Sequence, residues 1–589
     1  MEDSSDKAAT PQPFPGDPFS DVTEPQPLPS TPDFPEKLVK DQSPGTLNRW
    51  DILFLVVLFG IAFFAVILTG RGDYGLSWDE EYYYGPSRAA AEWVSKAIFD
   101  VDRPFSPREI AIGWSEIKEL PSVVKLSLGA YSLVLGGYMD SLTAFRLPSA
   151  LAYAATLVLI YIFMLHRFDR PTALFALFAY ALMPRIFGHA HLAASESITV
   201  LVSFLVVICF LNGLKKARWS LILGIVFGLA LNTRITCLFI PLILLPWAHI
   251  YRRKSYVNNF FAMVFLSPVI MVLTWPWLWR NSAVRLLEYL YFFVSHQFTA
   301  VYYLGEKYNY GSRLAPWHYP FVMTFLTLPP VVLASGFVGT AVAVRHARKR
   351  PLPVLFLWGA FVFLFISALP SSPKYDGVRL FIPAFLFIAL VGAVGFREVL
   401  LRLPKARAIH GAFYWRDVAC VLGVALVIAC GAIGIWRSHP YSLSYYNILG
   451  GGMQGAFKKG MQTTFWGEAV NQEVWKVLNE LPRGAKIKTL ALHDEVFDRL
   501  QTWDKLREDL RFNKDAPPFD YHLLLIRRGF FARPEWCLYL NWPRFKVFRH
   551  QEVPLVILFK TGAEFEKVWP QFKIKQRKRP DGQTAGEKT

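Results

Sequence analysis

Residues 51–84 read DILFLVVLFGIAFFAVILTGRGDYGLSWDEEYYY. The first part of this segment, 51–70, has Asp51 as its only charged residue and has the length of about 20 residues that a helix needs to cross a bilayer. Three consecutive carboxylates, Asp79, Glu80 and Glu81, follow it between aromatic residues. Carboxylates beside lipid are costly unless they are paired or used. The segment therefore predicts a membrane anchor with chemistry directly outside it.

The composition favours a membrane protein over a soluble one. Of the 589 residues, 53% are hydrophobic and only 18% are charged, which is too apolar for an ordinary soluble chain of this length. The 63 Lys and Arg residues exceed the 45 Asp and Glu residues, but they cluster at the ends of apolar runs, where they act as topology signals. We therefore expect the lipid bilayer, and no nucleic acid, as a partner.

Eleven apolar stretches predict a mostly α-helical, polytopic membrane protein of about 11 transmembrane helices within residues 49–436. Residues 1–48 are rich in Pro and in acidic residues and cannot bury enough apolar surface to fold, which predicts a disordered cytoplasmic tail. The stretches are 51–70, 142–165, 171–187, 197–214, 220–231, 235–250, 257–278, 319–344, 354–368, 380–396 and 418–436.

The positive charges predict which connections face the cytoplasm. Alternate connections carry the excess of Lys and Arg, and these should lie on the cytoplasmic side with the N-terminal tail. The long loop 71–141, the loops 185–196, 279–318 and 371–379, and residues 437–589 then lie outside. Strand-like runs at 487–492, 521–526 and 554–559, with a helical pattern at 468–481, predict a small extracytoplasmic α/β domain over 437–589.

The outer loop 71–141 contains the first candidate functional residues. Asp79 or Glu80 could take a proton from an acceptor hydroxyl or hold a divalent cation, and the alternative is a solvated start of a helix over 82–99. Lys125 could bind a lipid phosphate as a point charge. The alternative for Lys125 is snorkelling to the lipid headgroups.

Two further outer loops carry candidates. His189 and His191, two residues apart, could contribute to a metal site, although a single hydrogen-bonded histidine is the more common role. Glu196 is a carboxylate at the mouth of a span, on the same side as Asp79. Arg379 could contact phosphate with two N–H groups or serve as an interfacial anchor.

Several motifs, taken in order, resemble the polyprenyl-phosphate-dependent glycosyltransferases of the GT-C fold, family 39 type. That family includes protein O-mannosyltransferases and the aminoarabinose transferase of lipid A. The resemblance runs from about residue 51 to about 471. The motifs are WDEE at 78–81, PSVVK at 121–125, FRLPSA at 145–150, PRIFGH at 184–189 with Glu196, GLALNTR at 228–234, DGVRLFIP at 376–383 and HPYSLSYYN at 439–447.

The resemblance implies a transferase that moves a sugar from a polyprenyl-phosphate donor to an extracytoplasmic acceptor, which could be a lipid, a glycan or a protein. Asp79 matches the acidic base or metal ligand, with Glu80 beside it, and Glu196 matches the second acidic position. The expected contacts to the donor phosphate are Lys125, Arg379 and Arg185. A divalent cation held by Asp79 and His189 stays open as a cofactor.

A single displacement should invert the anomeric centre, by analogy with inverting glycosidases. Two other classes compete with this interpretation. An ion-coupled transporter would usually place ionisable groups near the middle of the bilayer and show inverted repeats, and neither is found apart from Arg234 at a helix break. A non-catalytic envelope assembly protein would use the long loops only to bind partners. We expect a bacterial inner membrane as the location.

Overall fold

Helices dominate the structure, as the apolar runs predict. The computed structural model describes residues 45–70, 72–99, 105–114, 120–252, 256–295, 299–309, 314–403 and 415–572. Nearly all of the predicted tail 1–48 lies outside these residues. The helices are α1 Arg49–Gly70, α2 Trp78–Phe99, α3 Pro107–Trp114, α4 Ser122–Leu135, α5 Ser141–Arg167, α6 Arg170–Ala181, α7 Pro184–Ala190, α8 Ser195–Gly213, α9 Ala217–Leu231, α10 Ile240–Tyr251, α11 Val257–Phe261, α12 Ser267–Leu273, α13 Ser282–Ser295, α14 Tyr319–Thr327, α15 Pro330–Arg345, α16 Pro351–Ala368, α17 Pro383–Arg402, α18 Trp415–Ser438, α19 Gly452–Lys458, α20 Gln472–Asn479, α21 Asp494–Thr502, α22 Arg533–Asn541 and α23 Ala563–Val568.

All eleven predicted stretches lie on helices, but fewer of these helices are long enough to span a bilayer. Among the described residues, six helices are long and apolar enough, namely α1, α5, α8, α16, α17 and α18, and the pair α6 and α7, bent by 66°, would make a seventh. The other stretches lie on shorter apolar helices, because prolines and the polar break after α9 interrupt them. The chain is therefore a multi-pass, mostly α-helical membrane protein, as predicted.

Ion pairs between helix ends define one face of the helical region. Asp51 at the start of α1 pairs with Arg170 at the start of α6 at 2.7 Å. Asp169, beside Arg170, pairs with Arg397 near the end of α17 at 2.8 Å. Since α17 has 20 residues and an α-helix rises 1.5 Å per residue, its two ends lie about 30 Å apart. Arg379, just before α17, therefore lies on the opposite face.

The central and peripheral helices differ in how much of their surface the protein covers. The apolar windows of α5 and α17 are 72% and 78% buried inside the protein, whereas those of α1 and α18 are 11% and 17% buried. A helix that is apolar all round and uncovered by protein faces lipid in a membrane protein. Helices α5 and α17 thus form the centre of the bundle, and α1 and α18 lie at its edge.

Glycines allow α15 and α17 to approach closely. A Cβ atom on Gly339 of α15 would lie 2.0 Å from the Val391 carbonyl oxygen, and one on Gly395 of α17 would lie 2.0 Å from the Ser335 carbonyl oxygen. Small residues at such contacts let the backbones of membrane helices pack against each other. A Cβ atom on Gly336, one turn before Gly339, would have no neighbouring atom within 4 Å.

We expect Gly339→Leu to lower the melting temperature of the detergent-solubilised protein. The added side chain must push α15 from α17, and overpacking of this kind costs about 1–3 kcal/mol. Gly336→Leu on the same helix is the matched control and should change the free energy of unfolding by no more than about 1 kcal/mol, because its Cβ meets nothing. Equal losses for both variants would contradict the close contact.

A small mixed sheet follows the helical region. Its strands are β3 Lys486–Leu490, β4 Arg511–Phe512, β5 Tyr521–Leu525, β6 Arg544–His550 and β7 Val553–Lys560, in the order β4-β3-β5-β7-β6, and a separate hairpin pairs β1 Val301–Tyr303 with β2 Glu306–Tyr308. Strand β3 is parallel to β4 and β5, and β7 is antiparallel to β5 and β6. The three predicted runs correspond to β3, β5 and β7, and the predicted helix corresponds to α20.

Strand β5 is buried along its whole length, which matches a strand covered on both faces. The described residues of the sheet and of the helices belong to one compact unit, 44–589. A separate domain over 437–589 stays a prediction.

Candidate active site

Glu80 forms the cap of helix α2. Its carboxylate accepts hydrogen bonds from the backbone N–H and hydroxyl of Ser77, both at 3.0 Å, and Ser77 in turn accepts from the Glu80 backbone N–H at 3.3 Å. This reciprocal arrangement is a capping box, which satisfies N–H groups at a helix start. Glu80 therefore lies at a helix start, as in the alternative interpretation, but it is fully buried and not solvated, and its catalytic role stays a prediction.

Arg146 of α5 binds the same carboxylate. Its Nε and Nη2 donate to the two Glu80 oxygens at 2.6 and 2.7 Å, and the backbone N–H of Ala193 donates to one of them at 2.8 Å. Glu80 is fully buried and Arg146 nearly so. With both oxygens occupied by structural partners, Glu80 joins α2, α5 and the loop before α8, away from Asp79.

Glu80→Gln should destabilise the fold by about 3 kcal/mol, because removing one member of a buried ion pair leaves the other charge uncompensated. Thermal unfolding in detergent measures this loss. Glu81→Gln is the matched control, because Glu81 pairs with Arg499 at 3.1 Å where both side chains are partly exposed, and it should cost far less. A Glu80→Gln variant as stable as the control would contradict the structural role.

The Asp79 side chain points to a different partner, Arg379. The Arg379 Nη2 atom donates to Asp79 Oδ2, which also accepts from the Tyr83 hydroxyl at 3.2 Å. The same guanidinium donates from Nε to Glu196 at 2.8 Å and from Nη1 to Asp376 at 3.3 Å. One arginine therefore joins three carboxylates that the chain supplies from the start of α2, the start of α8 and the loop before α17.

Two more arginines complete this group. Arg234, which follows the break after α9, donates to Glu196 Oε1 at 2.5 Å and to the Ser195 hydroxyl at 3.1 Å. Arg527, which follows β5, donates to Asp376 Oδ1 at 2.9 Å. We call these three carboxylates and three guanidiniums the acid–arginine cluster; its members are Asp79, Glu196, Asp376, Arg234, Arg379 and Arg527.

Asp79 is the most accessible carboxylate of the acid–arginine cluster. Its side chain is 16% exposed, against 0% for Glu196 and 3% for Asp376. Burial nevertheless raises the pKa of Asp79, although the charge of Arg379 acts in the opposite direction. A carboxylate with a raised pKa, at the open side of a paired cluster, has the properties of a general base.

Aromatic rings cover the cluster. The Arg379 guanidinium lies over the ring of Trp466 at 4.3 Å, and His189 meets the edge of the same indole at 5.2 Å between ring centroids. Trp466 is positioned by an antiparallel pairing of residues 72–78 with 466–472, in which the Trp78 N–H donates to the Trp466 carbonyl at 3.2 Å. The paired segments 72–78 and 466–472 thus form one wall of the acid–arginine cluster.

The other predicted phosphate contacts are both buried. Arg185 donates from Nε to the Tyr445 carbonyl at 3.1 Å, and a Cβ on Gly377 would lie 2.4 Å from its Nη1, so it lies against the loop that carries Asp376 and Arg379. Lys125 is fully buried in α4, which packs along α2. Their contact with a phosphate stays a prediction.

In this arrangement the carboxylates around Asp79 are paired with arginines, and a divalent cation held by Asp79 and His189 stays a prediction. Arginines already bind the carboxylates of the cluster, and His189 contacts the ring of Trp466. Within the described ranges, no group of three or more His, Cys, Asp or Glu side chains is arranged to hold a metal. His191 donates from Nδ1 to the Phe187 carbonyl at 2.7 Å, and its Nε2 lies 2.8 Å from the Thr69 hydroxyl oxygen.

Glu468 is a second buried acid beside this wall. Its Oε2 accepts from the Trp466 backbone N–H at 2.7 Å, and burial raises its pKa to about 7 from the ordinary 4.5. Because the folded protein holds this proton more tightly than the unfolded chain, the stabilising contribution is complete below pH 4.5 and is lost as the pH rises toward 7.

Glu468→Gln should therefore flatten the fall in stability between pH 4.5 and 7, since glutamine does not titrate. Melting temperatures across this range, in a buffer of constant ionic strength, measure the effect. Glu473→Gln, at an exposed position of α20, is the control and should leave the slope unchanged. A Glu468→Gln variant with the wild-type slope would contradict the raised pKa.

Several residues of the site were not among the candidates drawn from the sequence. Arg527 and Trp466 belong to the region after 437, and Arg234 was noted only as an exception at a helix break. The signal for Arg527 was a basic pair directly after a buried strand, and for Arg234 a cation between two apolar helices. Each is a charge in a place where an unpaired charge is costly.

Fold and site together define a multi-pass membrane protein with an acid–arginine cluster at one set of helix ends. Residues 128–279 match the family model described as dolichyl-phosphate-mannose-protein mannosyltransferase. This match confirms, over those residues, the resemblance predicted from the motifs, and with it the class of enzyme, a membrane glycosyltransferase. No curated protein matches the sequence.

Two solved structures have a backbone similar to that of this chain. One is ArnT from Cupriavidus metallidurans bound to undecaprenyl phosphate, at 15% identity and a TM-score of 0.47, with 86% of this chain and 97% of that chain covered. The other is the archaeal oligosaccharyltransferase AglB from Archaeoglobus fulgidus in complex with an inhibitory peptide and a dolichol-phosphate. Its identity is 11% and its TM-score is 0.44, with 84% of this chain and 71% of that chain covered.

Proposed function

We propose that this protein transfers a sugar from a polyprenyl-phosphate donor to an extracytoplasmic acceptor, with Asp79 as the general base. One observation carries the proposal: Asp79, Glu196 and Arg379, three candidates from three different outer loops, meet in direct contact. The family description that matches residues 128–279 names a dolichyl-phosphate sugar as the donor, which supports a lipid-phosphate donor here.

Asp79 takes the proton of the acceptor hydroxyl, and that oxygen attacks the anomeric carbon as the bond to the donor phosphate breaks. A base of this kind contributes about 10²–10⁴-fold to the rate. A single displacement inverts the anomeric centre. Glu196 and Asp376 hold the Arg379 guanidinium where it can reach the base Asp79 and the donor phosphate. Glu80 supports the helix that carries the base.

The departing phosphate needs positive charge that the cluster alone does not supply. Its three carboxylates balance its three guanidiniums, so the phosphate adds an uncompensated negative charge. Arg379 can exchange Asp79 for a phosphate oxygen, and the buried cations Lys125 and Arg185 supply the remaining charge. The donor's polyprenyl tail stays in the bilayer beside them.

We place the site and the sheet region on the extracytoplasmic side of a bacterial inner membrane, since the connections rich in Lys and Arg define the cytoplasmic side. The acceptor is a lipid, a glycan or a protein. The transporter and assembly-protein alternatives have no site observation in their favour. The carboxylates lie at helix ends on one face and pair with arginines there.

The test is sugar transfer from a panel of synthetic polyprenyl-phosphate sugars, by purified protein in lipid with membrane extract as the source of acceptors. Wild type should consume one donor, and Asp79→Asn should be slower by at least about 100-fold, because the amide cannot accept the proton. A parallel reaction with chelator tests whether a divalent cation takes part.

Glu81→Gln is the matched control, because it changes the neighbouring carboxylate, which pairs with Arg499 outside the cluster. It should retain wild-type transfer. Full transfer by a folded Asp79→Asn variant would overturn the assignment of the base. Failure of wild type to consume any donor of the panel would overturn the proposed transferase.

A further inference from the structure

Arg527 links the sheet region to the acid–arginine cluster. It is fully buried directly after β5, and its two terminal nitrogens donate to Asp376 Oδ1 at 2.9 Å and to the Phe465 carbonyl at 2.7 Å. We propose that Arg527 is a positioning residue: by holding Asp376 it sets how firmly Arg379 binds the base Asp79. This proposal rests on the proposed function, and it makes the sheet region an obligatory part of the active site.

Two aromatic rings fix the guanidinium of Arg527. It lies 4.4 Å from the ring centre of Trp78 and 4.0 Å from that of Phe530, and these two rings are nearly parallel, 15° apart in plane and 6.0 Å apart in position. The guanidinium lies within cation–π distance of both rings and is attracted to each. Because Trp78 directly precedes Asp79 in α2, the contact with Trp78 ties Arg527 to the helix that carries the base.

Asp376 stands between two guanidiniums and gives one oxygen to each. Oδ1 accepts from Arg527, and Oδ2 accepts from Arg379 at 3.3 Å, which is a long contact beside the 2.9 Å contact of Arg527. Without Arg527, a buried carboxylate oxygen would lose its partner. The nearest cation left to it is Arg379, and a closer Asp376–Arg379 pair would draw that guanidinium away from Asp79 and Glu196.

The pH dependence of transfer reports such a shift. The groups that face Asp79 are Tyr83 from its own helix, Tyr375, Asp376 and Arg379 from the loop before α17, Glu196 from the start of α8, and Arg527 from the segment after β5. Arg379 and Arg527 are the cations among them that favour the ionised base, Arg379 by direct contact, and the two carboxylates oppose them. If Arg379 is drawn away, Asp79 ionises at higher pH, and the acid limb of the rate profile moves to higher pH.

The experiment measures kcat and KM against pH for full-length Arg527→Gln in lipid, with the donor that wild type consumes. We expect kcat to fall at least tenfold on the acid side of the profile, with a smaller loss on the alkaline side and little change in KM. Arg527→Lys keeps the charge, which acts on Asp79 wherever Arg379 lies, but not the paired N–H groups that hold Asp376. The positioning role predicts that this variant recovers only part of kcat and of the limb position, and full recovery would overturn that role.

Arg528→Gln is the matched control. Arg528 also lies over aromatic rings, 4.5 Å from Tyr302 and 4.3 Å from Phe457, and its Nη2 atom donates to the Phe457 and Met461 carbonyls. Its loss should leave the acid limb at the wild-type pH. A general loosening of the sheet region would affect both variants in the same way.

Asp376→Asn in the Arg527→Gln background separates positioning from packing. The double variant no longer has an unpaired carboxylate beside Arg379, so the acid limb should return toward wild type. It also serves if Arg527→Gln folds poorly, since it removes the buried uncompensated charge. An acid limb that stays in place in Arg527→Gln, that moves equally in Arg528→Gln, or that fails to return in the double variant would overturn the proposal.

The two proposals fail in different ways. Active wild type with an unmoved acid limb in Arg527→Gln overturns the positioning role alone. Inactive wild type across the donor panel overturns the proposed transferase and the positioning role with it.

Discussion

A guanidinium shared by three carboxylates, two of them buried, is the interaction on which the rest of the site depends. Taking a charge out of water is expensive, and the expense is offset only when partners lie at hydrogen-bond distance. Arg379 contacts Asp79, Glu196 and Asp376, so the start of α2, the start of α8 and the loop before α17 must converge. The convergence is a condition for burying any one of these charges.

The membrane explains why the cluster lies at helix ends and why distant segments supply it. Ionisable groups are costly inside the hydrocarbon layer, so they concentrate where helices emerge. Helix α17 connects the two faces, with Arg379 just before it and Arg397 in the ion pairs of the opposite face. The sheet region then supplies Arg527, without which Asp376 would share one arginine with two other carboxylates.

The helices and three candidates of the cluster could be predicted from the sequence because local patterns determine them. Apolar length marks spans, and the alternation of basic connections puts Asp79, Glu196 and Arg379 on one side. The different roles of Asp79 and Glu80 could not be read from adjacent positions, since neighbours on a helix point about 100° apart and meet different partners. Arg527 and Asp376 are 151 residues apart, and no local pattern reports such a contact. Strand β6 escaped prediction because it is an edge strand, largely exposed.

The pairing of Asp79 with Arg379 also bears on when the base is active. A carboxylate that accepts hydrogen bonds from a guanidinium is a weaker base than one that is released from it. In the proposed reaction the donor phosphate competes for the same guanidinium, and each hydrogen bond it takes from Arg379 is one that Asp79 loses. Donor binding would thus strengthen the base at the moment a sugar is present to receive the acceptor oxygen. The remaining contacts of Arg379 to Glu196 and Asp376 keep the guanidinium in reach of both partners during that exchange.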